Sequence, residues 1–224
     1  LAAREINGSE PLRIAISPTL GGLPIDQGVL SVIDEAGKTF SKLGAEVTLK
    51  DPPLEGAMEC FQTQRAVGLR GLGNLLEKTI PNWREFAKDT ATWNIEKGFG
   101  LTIEDMIRAE ATRTRIFEDI SEYFRDFDAL LLPAAQVPPF DLSQEWISEI
   151  EGIKLDTYID WMSVCCMITV TGLPAISVPG GFTDEGLPVG IQLVGKPNGD
   201  LELLKIANAY EAMTKHYART PELF

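Results

Sequence analysis

Few side chains in this sequence could perform catalysis on their own. His216 is the single histidine, and it has no serine or cysteine motif near it, so a surface position on a C-terminal helix is favoured over a catalytic one. The three cysteines are Cys60 and the adjacent pair Cys165 and Cys166, and none has the C-x-x-C spacing of a zinc site. An odd, clustered set predicts reduced thiols, a cytoplasmic protein and no bound metal.

Glycine-containing segments offer two further candidates, both for phosphate binding. The triplet from Gly37 to Thr39 is similar to the end of a phosphate loop, but the position of the required earlier glycine is Val32. Gly68, Gly71 and Gly73 do not have the G-x-G-x-x-G spacing either. Structural roles in helices are therefore favoured for both segments, and no organic cofactor is predicted.

Composition limits the class of protein. A chain of 224 residues is long enough to bury about 70% of its unfolded surface, and one domain spanning residues 1–224 is expected. Its net charge of -13 argues against nucleic acid as a partner, because phosphate contact requires clusters of Lys and Arg. No apolar run reaches the roughly 18 residues of a membrane span.

Periodicity predicts the elements that position any site, and together they indicate an α/β protein. Leu12, Ile14 and Ile16 alternate with polar residues as in a strand, and Asp26 can cap the helix that follows. A second strand then completes a βαβ unit with a parallel pair. Strands are predicted near 12–17, 45–49, 129–132, 175–182 and 188–194.

Helical patterns occur in four further segments. Residues 55–78 have mixed periodicity, although Gly68, Gly71 and Gly73 each lower helix stability by about 1 kcal/mol relative to Ala. Thr102 and Asp105 form a capping box for a long helix near 103–126. Its predicted apolar stripe is Ile103, Ile107, Thr114, Phe117, Ile120, Phe124 and Phe127, opposite a charged face that includes Arg113. A buried helix is predicted over 155–169, with Tyr158, Trp161, Met162, Cys165 and Ile168 inward, and a last helix from Asp200 with Leu201, Leu204 and Ala207 inward.

The segment from Thr169 to Gly195 reads TVTGLPAISVPGGFTDEGLPVGIQLVG and predicts a buried hairpin. Pro179 and Pro188 are expected at strand ends, because proline donates no ladder hydrogen bond. This segment resembles the C-terminal signature of amidase signature hydrolases. The upstream segments from Gly100 to Met106 and from Phe127 to Pro133 are similar to the preceding helix and strand of that family, and the segment from Leu203 to Glu211 is similar to its closing helix.

The resemblance implies a mixed β-sheet flanked by helices and the C-terminal half of an enzyme that hydrolyses carboxamides to acid and ammonia. In that family a serine nucleophile, a second serine on a cis peptide and a lysine base act with a Gly/Ser-rich loop, and this sequence has no such loop. Lys50 and Asp51 are a local similarity only, because Lys50 ends a predicted strand. No catalytic residue is therefore assigned, and the start at Leu1 suggests a fragment, a processed product or a trimmed chain.

The resemblance also implies a substrate-pocket wall formed by the segment before the hairpin. Its candidate residues are Asp160, Trp161, Cys165, Thr169 and Thr171, with core or helix-surface roles as the alternative. Trp161 and Met162 favour an aliphatic or aromatic amide. The expected partners are this small-molecule amide, the N-terminal half of the same protein and a second copy that covers an open sheet edge. The alternatives are a subunit of a glutamine-dependent amidotransferase and a non-catalytic binding or scaffold module.

Overall fold

A computed structural model describes residues 11–219. Its elements, in chain order, are β1 (Arg13–Ile16), α1 (Gln27–Lys42), β2 (Glu46–Leu49), α2 (Ala57–Thr79), α3 (Asp89–Phe99), α4 (Ile103–Tyr123), β3 (Ala129–Pro133), β4 (Glu149–Ile150), β5 (Ile153–Lys154), α5 (Ser163–Thr171), β6 (Ala175–Phe182), β7 (Pro188–Gly195) and α6 (Asp200–Thr214). The five predicted strands and the long helix are confirmed.

The chain separates into two compact units, which we call the sheet unit and the helical unit. The described part of the sheet unit comprises residues 11–53, 119–165 and 172–219. The helical unit comprises residues 54–118 and 166–171. Within residues 11–219, no helix is long and apolar enough to span a membrane.

The sheet unit begins with the predicted βαβ unit. Strands β1 and β2 pair in parallel, with Ile14 opposite Val47. Asp26 caps α1 because its carboxylate accepts the backbone N–H of Gly28 at 2.8 Å. Gly44 follows α1 with a φ of +87°, a conformation that glycine adopts without a steric penalty.

The strand order β2-β1-β3-β7-β6 makes the sheet mixed. Strand β3 is parallel to β1, whereas β7 is antiparallel to both β3 and β6. Residues Ala129 to Leu132 are fully buried, so β3 is covered on both faces as its unbroken apolar run predicts. The α/β fold class with a mixed sheet and flanking helices is therefore confirmed.

Helices α1 and α6 contact the same sheet and form its main core. Phe40 of α1 stacks on Tyr210 of α6 with ring centroids 5.1 Å apart. The Tyr210 hydroxyl donates to the backbone oxygen of Gly180 in β6 at 2.9 Å. This bond ties the last helix to the hairpin, because a buried hydroxyl requires a partner.

Strand β6 is an edge of the described sheet, and it corrects one expectation about proline. Pro188 starts β7, as predicted, but Pro179 lies inside β6 rather than at its end. The strand register shifts between Pro179 and Gly181. An edge strand tolerates proline at such an irregularity because it has a neighbour on one side only.

The helical unit contains α2, α3 and most of α4. The predicted helix over 55–78 is confirmed as α2, whereas α3 has no counterpart in the prediction. A Cβ added at Gly73 would lie 2.5 Å from the Ile95 side chain of α3. Gly73 therefore permits the close approach of α3 to α2, which a larger residue would prevent.

Two apolar stripes were predicted with the wrong helical phase. In α4 the capping box of Thr102 and Asp105 is confirmed, since the Thr102 hydroxyl accepts the Asp105 N–H at 3.1 Å. The buried residues of this region are Ala109, Ile116, Ile120, Tyr123 and Phe124, whereas Ile103, Ile107, Thr114 and Phe117 are exposed and Phe127 is half-buried. In α6, Gly199 is the capping position, and Leu203, Ile206, Ala207 and Tyr210 are buried instead of Leu201 and Leu204.

Two further expectations are corrected near the hairpin. Helix α5 begins at Ser163 rather than near residue 155, and Ile168 alone of its five predicted inward residues is buried. His216 lies in a short 3-10 helix after α6, not within a long helix. Residues 134–152 are not only a surface excursion, because Gln136 within them is fully buried.

Candidate functional site

The segment before α5 lies in the sheet unit and contains three of the predicted wall residues. Asp160 and Trp161 lie in a 3-10 turn, Asp160–Met162, and Cys165 follows in the first turn of α5. The Asp160 carboxylate accepts the backbone N–H of Thr157 at 2.7 Å. Asp160 thus organises the turn that brings Trp161 and Cys165 to α5.

Trp161 is the aromatic residue of this segment. Its ring packs edge-on against Phe140, with centroids 5.4 Å apart. The ring is half-buried, and its Nε1 is buried without a hydrogen-bond partner among residues 11–219. A buried indole N–H without an acceptor costs about 1–3 kcal/mol, so this donor marks a place where an added acceptor would stabilise the protein.

Cys165 is half-buried, and its thiol lies 3.1 Å from the backbone oxygen of Met162 as a donor. The other two wall candidates lie in the helical unit, at the end of α5. Thr169 is exposed, whereas Thr171 is buried and its hydroxyl donates to the Ile168 carbonyl oxygen at 2.7 Å. The role of all five residues as a substrate wall stays a prediction.

Gln136 is a residue of this region that sequence reasoning missed. Its side-chain oxygen accepts the backbone N–H of Val164 at 3.1 Å, and its side-chain nitrogen donates to the Pro24 carbonyl oxygen at 3.1 Å. Its backbone oxygen accepts the N–H of Asp26. One fully buried amide therefore joins the start of α5 to the loop before α1. An amide in an otherwise apolar stretch after β3 is the sequence signal that could have identified it.

Arg113 has a contact that its predicted position on a solvated face does not suggest. Within the helical unit, its Nε donates to the Val170 carbonyl oxygen in the last turn of α5 at 3.4 Å. The last carbonyls of a helix have no intrahelical partner and carry partial negative charge, so a cation stabilises them. The other members of the charged face, namely Arg108, Glu118, Glu122 and Arg125, are exposed as predicted.

Cys60 lies in a small cleft of the helical unit between α2 and α4, and the cleft also contains Glu59, Asp105 and Arg108. Burial raises the pKa of the Cys60 thiol, with a further contribution from the charge of Glu110. The protonated thiol donates to the Ala109 carbonyl oxygen at 3.3 Å. A protonated thiol in this position is a structural group rather than a nucleophile.

The remaining titratable candidates lie in the sheet unit. Lys50 follows β2 and is exposed, and its backbone oxygen accepts the hydroxyl of Tyr123 at 2.9 Å. The neighbouring Asp51 accepts the hydroxyl of Ser17 at 2.6 Å. Burial lowers the pKa of His216, whose ring lies edge-on to Phe182. No group of three or more metal-ligating side chains occurs among the described residues.

A shallow groove in the sheet unit runs between α1 and the loop joining β6 to β7. Its walls include Asp26, Ser31, Phe182, Asp184 and Glu185. Arg219 lies over the Phe182 ring at 3.9 Å from its centroid, so the chain itself supplies the cation for this aromatic face. The groove contains no paired nucleophile and base, and its carboxylates would favour a cationic ligand over an anion.

Comparison with known proteins now identifies the family. A family model described as Amidase matches residues 1–204. The chain therefore belongs to the amidase family, whose members carry the amidase signature. A glutamyl-tRNA(Gln) amidotransferase subunit of Myxococcus xanthus is 39% identical over 223 aligned residues, which cover 89% of this chain and 44% of that protein. An acylamidase of Rhodococcus erythropolis is 31% identical over 206 residues, which cover 90% of this chain and 42% of that protein.

Solved structures agree with this assignment at the level of the fold. A bacterial aryl acylamidase of the amidase signature family superposes with a TM-score of 0.81 at 24% identity, covering 94% of this chain and 45% of that one. A 6-aminohexanoate cyclic dimer hydrolase gives a TM-score of 0.80 at 18% identity, covering 96% and 48%. The chain thus spans about half the length of the relatives that it matches.

Proposed function

We propose that the protein containing this chain hydrolyses carboxamides to carboxylic acid and ammonia, and that this chain supplies sheet core and one wall of the substrate pocket. The family match over residues 1–204 carries the proposal. The 31% identical acylamidase supports an amide as the substrate class, and the half-buried Trp161 beside Phe140 supports an aliphatic or aromatic acyl group.

The chain alone is proposed to be inactive. The 224 residues contain no Gly/Ser-rich loop of the kind that supplies nucleophile and oxyanion hole in the resembled family. A catalytic serine, its base and the oxyanion donors act as one unit, so a chain without them loses nearly all chemical acceleration. We assign those groups to polypeptide beyond these 224 residues, which corresponds to the remaining half of the relatives.

The test compares ammonia release by the natural polypeptide containing this sequence with release by the 224-residue chain. Simple aliphatic and aromatic amides serve as substrates. We expect turnover by the natural polypeptide and none by the chain. Turnover by the chain that is lost in Lys50→Ala but kept in the exposed control Lys42→Ala would place the base in this chain and overturn the proposed inactivity.

The wall is tested in the natural polypeptide by Trp161→Ala. Loss of apolar contact with the acyl group should raise KM for aromatic amides on the order of tenfold with little change in kcat, because contacts kept from ground state to transition state act on binding. Trp146→Ala is the matched control. Equal kinetics in Trp161→Ala and wild type would remove Trp161 from the wall.

Membership of an amidotransferase complex is the second candidate function, and the 39% identical relative favours it. Such a component passes ammonia to an acyl acceptor. Glutamine-dependent ammonia release that rises when an acceptor and companion subunits are added would favour it. Hydrolysis of simple amides by the natural polypeptide alone favours the amidase.

A further inference from the structure

The outward face of α2 carries a continuous uncharged stripe. We call it the α2 stripe; its members recur at three- and four-residue spacing and are Gln64, Gly68, Gly71, Leu72, Leu75 and Thr79. Leu72 is 45% exposed and Leu75 is 57% exposed, and both glycines are exposed. Charged side chains of the same helix, among them Arg70 and Lys78, lie off the stripe. A contiguous exposed apolar face on a helix is typical of an interaction surface.

The two glycines of the stripe have no packing role within the described residues. A Cβ added at Gly68 or at Gly71 would meet no atom within 4 Å. Neither glycine has the positive φ that would require this residue type. Gly73 differs, because α3 packs directly against it. Glycine disfavours a helix, so two exposed glycines on one face indicate that something outside the described chain packs closely there.

The arrangement of the stripe identifies that partner. If two α2 helices pack antiparallel about a two-fold axis that passes between Gly71 and Leu72, Gly71 of one copy faces Leu72 of the other. The same axis places Gly68 opposite Leu75. Each leucine then enters the space above a glycine, and the same surface serves both copies, as an isologous interface requires.

Charge supports the same partner. The chain has a net charge of -13, so two copies repel each other over most of their surfaces. A surface for self-association must therefore exclude carboxylates at its centre, and the α2 stripe contains none. A partner of unrelated sequence would require neither the match of glycine with leucine nor a stripe without charge.

From these observations we propose that the α2 stripe is a homodimer interface in which two α2 helices pack antiparallel, each leucine against a glycine of the second copy. None of the stripe residues belongs to the predicted substrate wall. The inference is independent of the proposed amidase activity, because it requires only that the natural polypeptide associates through α2.

Sedimentation of the natural polypeptide over a wide concentration range tests the proposal, with Leu75→Glu as the first variant. The introduced carboxylate would be buried opposite Gly68 without a partner, and the dimer dissociation constant should rise on the order of a hundredfold. Leu204→Glu, on the outer face of α6, is the matched control because Leu204 is 53% exposed, and its dissociation constant should equal that of wild type. Circular dichroism confirms that both variants are folded.

A second variant separates association from folding. Gly68→Ala with Gly71→Ala adds methyl groups that meet no atom of the described chain and favours the helix, so the thermal midpoint of the monomer should rise. The same methyl groups fill the spaces that the leucines of the second copy need, so the dissociation constant should rise at least about tenfold. A purely structural role for these glycines would not give these two opposite effects.

The antiparallel register has its own test. Gly68→Lys combined with Leu75→Glu places opposite charges across the interface and should recover dimerisation relative to Leu75→Glu alone. A wild-type monomer at every concentration would overturn the proposal. So would a dimer that is insensitive to both the Leu75→Glu and the glycine variants, or a stripe covered by another segment of the natural polypeptide.

Discussion

Gln136 accepts the backbone N–H of Val164 through its side-chain oxygen at 3.1 Å, and both residues are fully buried. Val164 is the second residue of α5, where the N–H has no partner within the helix. The same amide donates to the Pro24 carbonyl oxygen. The Gln136 side chain therefore satisfies one donor and one acceptor that water does not reach.

We predict that Gln136→Leu lowers the free energy of unfolding by roughly 2–5 kcal/mol. Two buried backbone groups would lose their partners, and each such group costs about 1–3 kcal/mol. Urea denaturation provides the measurement, with the exposed Gln144→Leu as control. An unchanged midpoint in Gln136→Leu would mean that water or a rearranged side chain replaces the amide.

Ile116 and Phe117 are adjacent in α4 but lie on different faces of the helix. Ile116 is 0% exposed and Phe117 is 47% exposed. We predict that Ile116→Ala costs about 2–5 kcal/mol, because it leaves a cavity, and that Phe117→Ala costs less than about 2 kcal/mol. Denaturation midpoints of the two variants decide the matter, and a larger loss for Phe117→Ala would restore the stripe that periodicity alone predicted.

These two neighbours show where prediction from sequence ended. The limits of α4 follow from the capping box of Thr102 and Asp105, which is local chemistry. Its buried face does not, because apolar residues occur on more than one side of the helix, and the choice between them depends on contacts that lie far along the chain. The same cause explains why Leu203 rather than Leu204 is buried in α6.

Strands were easier to predict because their signals are local and strong. The unbroken apolar run of β3 and the turn residues between β6 and β7 leave no competing register. The start of α5 was predicted too early because the apolar pattern continues back through Trp161, whereas Asp160 bonds to Thr157 and forms a separate turn. Gln136 could not be placed from sequence, since its three partners lie in distant segments.

Tyr210 supplies a further test within the core of the sheet unit. Tyr210→Phe keeps the stacking on Phe40 but removes the hydroxyl that bonds to Gly180. We predict a loss of about 1–3 kcal/mol, because the buried Gly180 carbonyl is left without this donor. Thermal or urea unfolding measures it, and Tyr217→Phe, at a 62% exposed position, should be neutral. Equal losses in both variants would contradict a specific role for the bond.

Asp128 predicts how stability responds to acid. Partial burial acts to raise the pKa of its carboxyl, but the backbone N–H of Arg13 and the ammonium of Lys196 outweigh burial, and the pKa lies below its usual 3.8. The Lys196 nitrogen is 2.7 Å from one carboxylate oxygen, and the Arg13 N–H is 2.9 Å from the other. These contacts join the starts of β1 and β3 to the end of β7.

The direction of the pH effect follows from the lowered pKa. A carboxylate whose pKa is lower in the folded state stabilises the protein above the unfolded pKa, near 3.8, and this contribution is lost as the pH falls through the folded pKa. Asp128→Asn should therefore reduce stability at neutral pH and lose less stability than wild type on acidification below about pH 4. Urea midpoints measured from neutral to acidic pH test this, with Asp126→Asn as the exposed control. Parallel pH profiles for wild type and Asp128→Asn would show that Asp128 does not contribute to acid sensitivity.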